Sequence, residues 1–421
     1  MTHPLPYGNG CSLSLDWTQS LCVAECRLPV GESVVDAAVA ARDALRQPLD
    51  YPPLQDALVP GDHVVVTVEP GVPQTPAIVA GVVRGLAAGG VSSECVTVLA
   101  ATPLGEAPPD SINEEGLVLE PEKSWLLSAL SDEERRGIQA AWHVPEAQGA
   151  VSYLAATDEA DPVYVARRIC DADLVIPIGV QRIDDTLGYL GAAGSLFPTF
   201  SDVATRRRLS PCDLRQWRKQ RTDWRQEAAQ AQWLLGVQFV VRVIPGRADS
   251  VLAVIAGQAE AAERNAAKRC RAAWRGATPH EADLVVAAID GGESEQTWDN
   301  VARTLAMANR IVSAEGVIVL CTDLQQAPGP ALRSGAAAAG GRRRTAREEE
   351  RPVDVLPAAV LADLAQSHRL YLWSRLADDV VDEVGFTPVS TEDELARLSR
   401  GLKTCVVVSG GQFASVAVRA S

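Results

Sequence analysis

Short apolar runs, repeated along the chain, constrain its fold more than any other feature. They are His63–Val68, Val96–Ala100, Asp173–Ile178, Asp283–Ala288, Gly316–Leu320 and Cys405–Val408. Each is β-branched and bounded by turn formers, which reads as a strand buried on both faces. Helical stretches lie between them: Thr75–Gly89, stopped by Gly89-Gly90, then Val251–Arg271 and Thr297–Ser313. Strand and helix in alternation need crossover connections, so the expected fold class is α/β with mostly parallel sheets. At 421 residues the chain exceeds one typical core. A break at Arg275–Glu281 separates a long helical stretch from a fresh strand. The expected organisation is one α/β domain over 1–275, a second over 280–421, and a cleft between them. The run at Leu174–Ile178 is expected at the centre of the first sheet. A low-complexity stretch near 325–351 reads as a loop inside the second domain.

Composition narrows the function. The formal net charge of -15 repels nucleic acid and anionic membrane, so neither is an expected partner. No run reaches the roughly 18 apolar residues that span a bilayer. Met1–Gly10 is polar and rich in Pro and Gly, unlike a signal peptide. The 9 cysteines are scattered without paired spacing, which points to reduced thiols and a cytoplasmic setting. Two basic runs, Arg206–Arg208 and Arg342–Arg344, stand out in this acidic chain. Each marks either a local cationic pocket or a solvated helix end or loop. The histidines are His3, His63, His143, His280 and His368, and no two fall at metal-ligand spacing. No metal is therefore expected. No glycine-rich nucleotide loop follows a strand, and no Gly-x-Ser-x-Gly elbow appears.

Three stretches carry a family resemblance. The first is Leu58-Val59-Pro60-Gly61-Asp62-His63-Val64-Val65-Val66, followed by a proline-punctuated turn and a helix. The second runs from Tyr153 through Asp161-Pro162-Val163-Tyr164-Val165-Ala166-Arg167-Arg168 to Ala172–Gly179. The third runs from Asp290-Gly291-Gly292 through Trp298, Asn300, Arg303 and Leu305 to Val319. In order and spacing, over roughly residues 10 to 325, the chain resembles the nickel-pincer-dependent lactate racemase family. That resemblance implies a nickel ion held by a sulfur-containing pyridinium mononucleotide, which is tethered to a lysine. It also implies a metal-ligating histidine and two further histidines that move the substrate's proton.

The sequence departs from the family at each of those positions. Gly105, in Ala101-Thr102-Pro103-Leu104-Gly105, stands where the resemblance puts the first catalytic histidine. Asp184, in Ile178-Gly179-Val180-Gln181-Arg182-Ile183-Asp184, stands where it puts the second. Gly194, closing Gly188-Tyr189-Leu190-Gly191-Ala192-Ala193-Gly194, takes the place of the tethering lysine, and no histidine lies between Phe197 and Pro279. The expected cofactor content is therefore none. The anion-binding turn of the family becomes Glu69–Pro76, where Thr75-Pro76 either opens a ligand-binding helix or simply caps it. The amide and amine of the family's cleft become Asn300 and Arg303, one turn apart on a helix.

These residues leave three readings open. In one, the cleft still catalyses isomerisation of a 2-hydroxy acid or sugar acid, with Asp184 and Asp185 as acid and base beside Arg182 and Arg303. In another, the chain is a non-nickel paralogue that binds a small anionic, hydroxy-acid-type ligand or a protein partner in the cleft. Its ligand-binding candidates are Thr75, Thr102, Arg182, Asn300 and Arg303. In the third, it is an active racemase with relocated ligands. In each, the segments 102–106, 181–194 and 291–303 are expected to line one pocket, because loops after strand ends form ligand sites in α/β folds.

Overall fold

The structure is a computed structural model that describes residues 2–16, 21–59, 61–157, 162–334 and 351–419. The Arg342–Arg344 run and most of the expected 325–351 loop lie outside the described residues. The fold is α/β, built on two six-stranded sheets.

The first sheet runs, edge to edge, Val251–Gln258, Phe239–Pro245, Leu174–Val180, Val64–Val68, Val96–Ala100 and Gln139–Trp142. All neighbours are parallel except the hairpin of the first two. Val64–Val68 and Val96–Ala100 are buried at every position, as strands covered on both faces must be. Val251–Gln258 was expected as the start of a helix and is instead a strand; the helix begins at Ala259 and ends at Trp274. Its Val251, Val254 and Ile255 are β-branched, and the antiparallel partner at Phe239–Pro245 draws them into the sheet.

Helix packing on this sheet depends on glycine. A Cβ on Gly81 would lie 2.2 Å from the carbonyl oxygen of Ala38, and one on Gly85 would lie 2.5 Å from Leu45 Cδ1. Their absence lets the Thr75–Ala88 helix press directly on the Ala37–Arg46 helix.

The second sheet is wholly parallel, in the order Thr387–Pro388, Arg369–Trp373, Val312–Cys321, Ala282–Ala288, Thr404–Val408 and Cys22–Cys26. Its last strand departs from the expected division at 275–280. Residues 2–16 and 21–26 belong structurally with the second sheet: Cys22–Cys26 is its edge strand, and the Thr2–Tyr7/Cys11–Asp16 hairpin covers one face. Leu5, Leu13, Leu15 and Leu21 pack there against Leu284, Val286, Val317 and Val319. The stretch read as a linker is also structured, since Arg275–Thr278 pairs in parallel with Ser415–Val418. The chain therefore crosses between the sheets twice, after Cys26 and after Trp274. Among the described residues no helix is long and apolar enough to cross a membrane.

Candidate ligand-binding cleft

Loops from the C-terminal ends of strands in both sheets enclose a cavity of about 400 Å³. Pro103, Leu104 and Glu106 line it from one expected segment, Arg182, Gly188–Gly191 and Gly194 from the second, and Glu295, Trp298, Asn300 and Arg303 from the third. Each loop sits where its strand stops, which is the usual ligand position in this fold class.

Arg182 follows the strand Leu174–Val180 and is buried, with its guanidinium 4.7 Å from the centroid of the Phe413 ring. Its Nη1 donates to the Gln412 carbonyl at 3.3 Å, a contact between the two sheets' loops. Arg303 donates from Nε to the Leu187 carbonyl at 3.1 Å and from Nη1 to Asn300 Oδ1 at 2.7 Å. Asn300 in turn donates to the Glu295 carboxylate at 2.9 Å and to its carbonyl at 2.8 Å. Burial, and then the neighbouring Arg303 charge, push the Arg182 guanidinium down to about 10. Burial raises Glu295 against the pull of Arg182 and Arg303. The buried Arg182 and the half-buried Arg303 thus both act on the Glu295 carboxylate, and a further anion would relieve their mutual repulsion.

A second buried ionic group stands behind this one. Arg242 is fully buried on the strand Phe239–Pro245. Its Nη2 donates to the Val180 carbonyl at 2.8 Å and to the Tyr189 hydroxyl at 2.9 Å. Nε lies 3.6 Å from Glu263, and Nη1 lies 3.9 Å from Glu69 with no hydrogen-bond partner of its own. Gly179 makes room for this head group: a Cβ there would fall 1.9 Å from Arg242 Nη1. Glu69 lines the cavity at the end of the strand Val64–Val68. Burial pushes its carboxyl up to about 7, although Arg242 and Arg182 pull it down.

Sequence reasoning missed Glu69, Arg242 and Glu295. A signal for Arg242 was present, since it interrupts the otherwise apolar run Phe239-Val240-Val241-Arg242-Val243-Ile244. Arg206, from the first basic run, does line the cavity. Its Nη2 donates to the Thr102 carbonyl at 2.7 Å, and burial pushes its guanidinium down to about 10. Its neighbour Arg208 pairs with Glu227 instead, at 2.5 Å.

Other sequence candidates lie elsewhere. Asp184 and Asp185 are not among the residues that line the cavity. Asp184 is held by Arg271 at 2.6 Å and Asp185 by Arg310 at 2.6 Å, the latter bridging the two sheets' loops. After the buried Ile183, Asp184 meets Arg271 on the Ala259–Trp274 helix, and Asp185 meets Arg310 and Ser415. Thr75 is the first helical residue rather than a cap, because Gln74 occupies the cap position with φ 48. Its hydroxyl is spent on the Val72 carbonyl at 2.7 Å, and that of Thr102 on the Glu106 carbonyl at 3.0 Å. Both threonines shape loops and do not line the cavity.

The residues present do not fit a lysine-tethered nickel group. A Cβ on Gly194 would meet Leu190 Cβ at 2.8 Å, so the tether position lacks both an amine and the space for one. Gly105 has φ 85, and a Cβ there would sit 3.1 Å from Val353 Cγ1. No histidine lines the cavity, and among the described residues no cluster of three or more His, Cys, Asp or Glu side chains could hold a metal ion. His143 is buried, bonded to the Ser201 carbonyl at 2.8 Å and pushed down to about 4 by burial, as a neutral packing residue would be.

No family model matches the sequence, and no curated protein does. Solved structures do match by fold. The chain superposes on the lactate racemase apoprotein from Thermoanaerobacterium thermosaccharolyticum with a TM-score of 0.74 and 16% identity, covering 100% of both chains. A protein from Thermotoga maritima matches with a TM-score of 0.64 and 13% identity, covering 90% of this chain and 97% of its own. The fold is that of lactate racemase.

Proposed function

We propose that this chain, with the fold of lactate racemase, is a non-nickel relative that binds a small anionic ligand of the 2-hydroxy-acid type between its two sheets. The observation that carries this reading is the pair of arginines, the buried Arg182 and the half-buried Arg303, facing one cavity with the Glu295 carboxylate between them. A ligand carboxylate would accept charge-assisted bonds from guanidinium groups that water reaches poorly, which makes those bonds strong. Asn300 fixes the Arg303 head group, so the site is set before the ligand arrives. Arg303→Gln is expected to weaken binding of a 2-hydroxy acid about 10- to 100-fold while the fold persists, since a bond to a charged group contributes roughly 1.5–3 kcal/mol. Isothermal titration calorimetry on both proteins measures this. Equal affinity in the variant, or no binding of any small carboxylate by the unaltered protein, would refute the reading.

A second reading, an isomerase of such an acid, is favoured by Glu69. A carboxyl group near 7 exchanges protons readily at neutral pH, as a general base must. Asp184 and Asp185 lend this reading no support, being paired outside the cavity. The perturbation of Glu69 also predicts a stability effect. Its folded value, about 7, lies above the ordinary 4.5. Folding therefore favours its protonated form, and that contribution is complete below about 4.5 and lost as pH rises through about 7. The loss is on the order of 3 kcal/mol. Glu69→Gln should flatten the stability profile over that window in urea melts. In deuterated water it should also abolish any exchange of the substrate α-proton. An unchanged profile would remove Glu69 as the proton-transfer group.

A further inference from the structure

We infer that the ligand is an amphiphilic acid, with a carboxylate head at the arginines and an apolar tail running toward the Leu356 side of the same cleft. This rests on the anion-binding reading above. The cavity of about 400 Å³ falls within the range of pockets that enclose drug-sized ligands, roughly 300–1,000 Å³. A short acid such as lactate would leave most of it filled with water. Its lining holds two sets of residues. Glu69, Arg182, Glu295, Asn300 and Arg303 form a charged set, and Leu104, Leu209, Pro211, Val353, Leu356 and Pro357 form an apolar set that Glu106, Arg206 and Asp354 accompany.

Three of the charged groups among the apolar set, Asp354, Glu106 and Arg206, are engaged by the protein. Asp354 accepts from the Leu332 and Ala331 amides at 2.9 and 3.2 Å, and Glu106 accepts from Gln326 at 3.2 Å. Arg206 donates to Thr102, and Arg351 donates to the Ser210 carbonyl at 2.9 Å across the gap between the sheets. Asp299 is exposed. Beside them, Leu104, Leu209, Pro211, Val353, Leu356 and Pro357 offer hydrocarbon, and burying a chain against it is favourable. Trp298 also lines the cavity: it opens the helix that carries Asn300 and Arg303, and its indole donates to the Gln326 carbonyl at 3.0 Å.

The test is a series of straight-chain 2-hydroxy acids, from lactate to the eight-carbon member, titrated into the full chain by calorimetry. Affinity is expected to rise roughly threefold for each added methylene. Val353→Asp, at a half-exposed position, is expected to flatten that rise while the thermal melt stays close to that of the unaltered protein. If lactate binds and longer acids bind no tighter, the tail inference fails while the anion site stands. If no member binds, the anion-site reading fails and this inference falls with it. If an alkyl alcohol of equal length binds as well as the acid, recognition does not involve the arginines and the inference is overturned.

Discussion

Replacing Arg242 with methionine is expected to destabilise the protein by about 3–5 kcal/mol near pH 8, because it removes one partner of a buried ionic group and leaves the others. Arg242 is fully enclosed, and Glu69 and Glu263 approach it from two sides at 3.9 and 3.6 Å. It also ties the Val180 carbonyl and the Tyr189 hydroxyl, which position two walls of the cleft. Without the guanidinium, Glu69 loses its first-ranked attraction and its carboxyl rises further. The loss should therefore be larger at pH 8 than at pH 5, where Glu69 is already protonated and costs little. Glu69→Gln combined with Arg242→Met should recover part of the high-pH loss. Urea denaturation of the three proteins at both pH values measures all of this. Equal losses at the two pH values would mean that lost packing, and not stranded charge, dominates the effect.

Nickel loading and lactate racemisation are both expected to be absent, even when the protein is co-expressed with the enzymes that make the pincer cofactor. Gly194 supplies no amine, and Leu190 occupies the space beside it. Restoring the amine alone should fail as well: Gly194→Lys must displace Leu190, and it still finds no imidazole in the cavity to complete the metal site. Proton transfer suffers separately. Gly105 offers no base, and Asp184 is bound to Arg271 outside the cavity. Loss of one positioned acid/base group lowers the rate by about 10²–10⁴, and here two are missing together with the hydride acceptor. Elemental analysis and a chiral assay on D-lactate are the measurements. Stoichiometric nickel with conversion to the L form would restore the active-racemase reading.

Much of the fold was legible because parallel strands are written as local apolar runs. His63–Val68, Val96–Ala100 and Cys405–Val408 needed no partner to be recognised. Cys22–Cys26 was not recognisable as a sheet strand. Its five residues, one of them the charged Glu25, pair with Thr404–Val408, far away in sequence, and no periodicity encodes such a partner. At the site, Arg182, Asn300 and Arg303 were legible because they sit in motifs with a family precedent. Glu69 and Glu295 were not, because a carboxylate in a loop looks alike whether solvated or buried. Asp184 and Asp185 illustrate the reverse error. Adjacent acids suggest acid/base chemistry, yet their direction depends on where the backbone turns after Ile183, and on Arg271 and Arg310, which come much later in sequence.

The edge position of Cys22–Cys26 bears on how the protein is made. The hairpin of residues 2–16 and this strand are synthesised long before Thr404–Val408, the strand that Cys22–Cys26 joins. At roughly 5–20 residues per second, the interval is some tens of seconds. The sheet of residues 64–258 can close in that time, so vectorial synthesis completes the inner lobe first. Meanwhile Leu5, Leu13 and Leu15 have no apolar face to cover. The nascent chain thus carries these leucines uncovered while the inner lobe forms, and the outer lobe is sealed only when Thr404–Val408 reaches Cys22–Cys26.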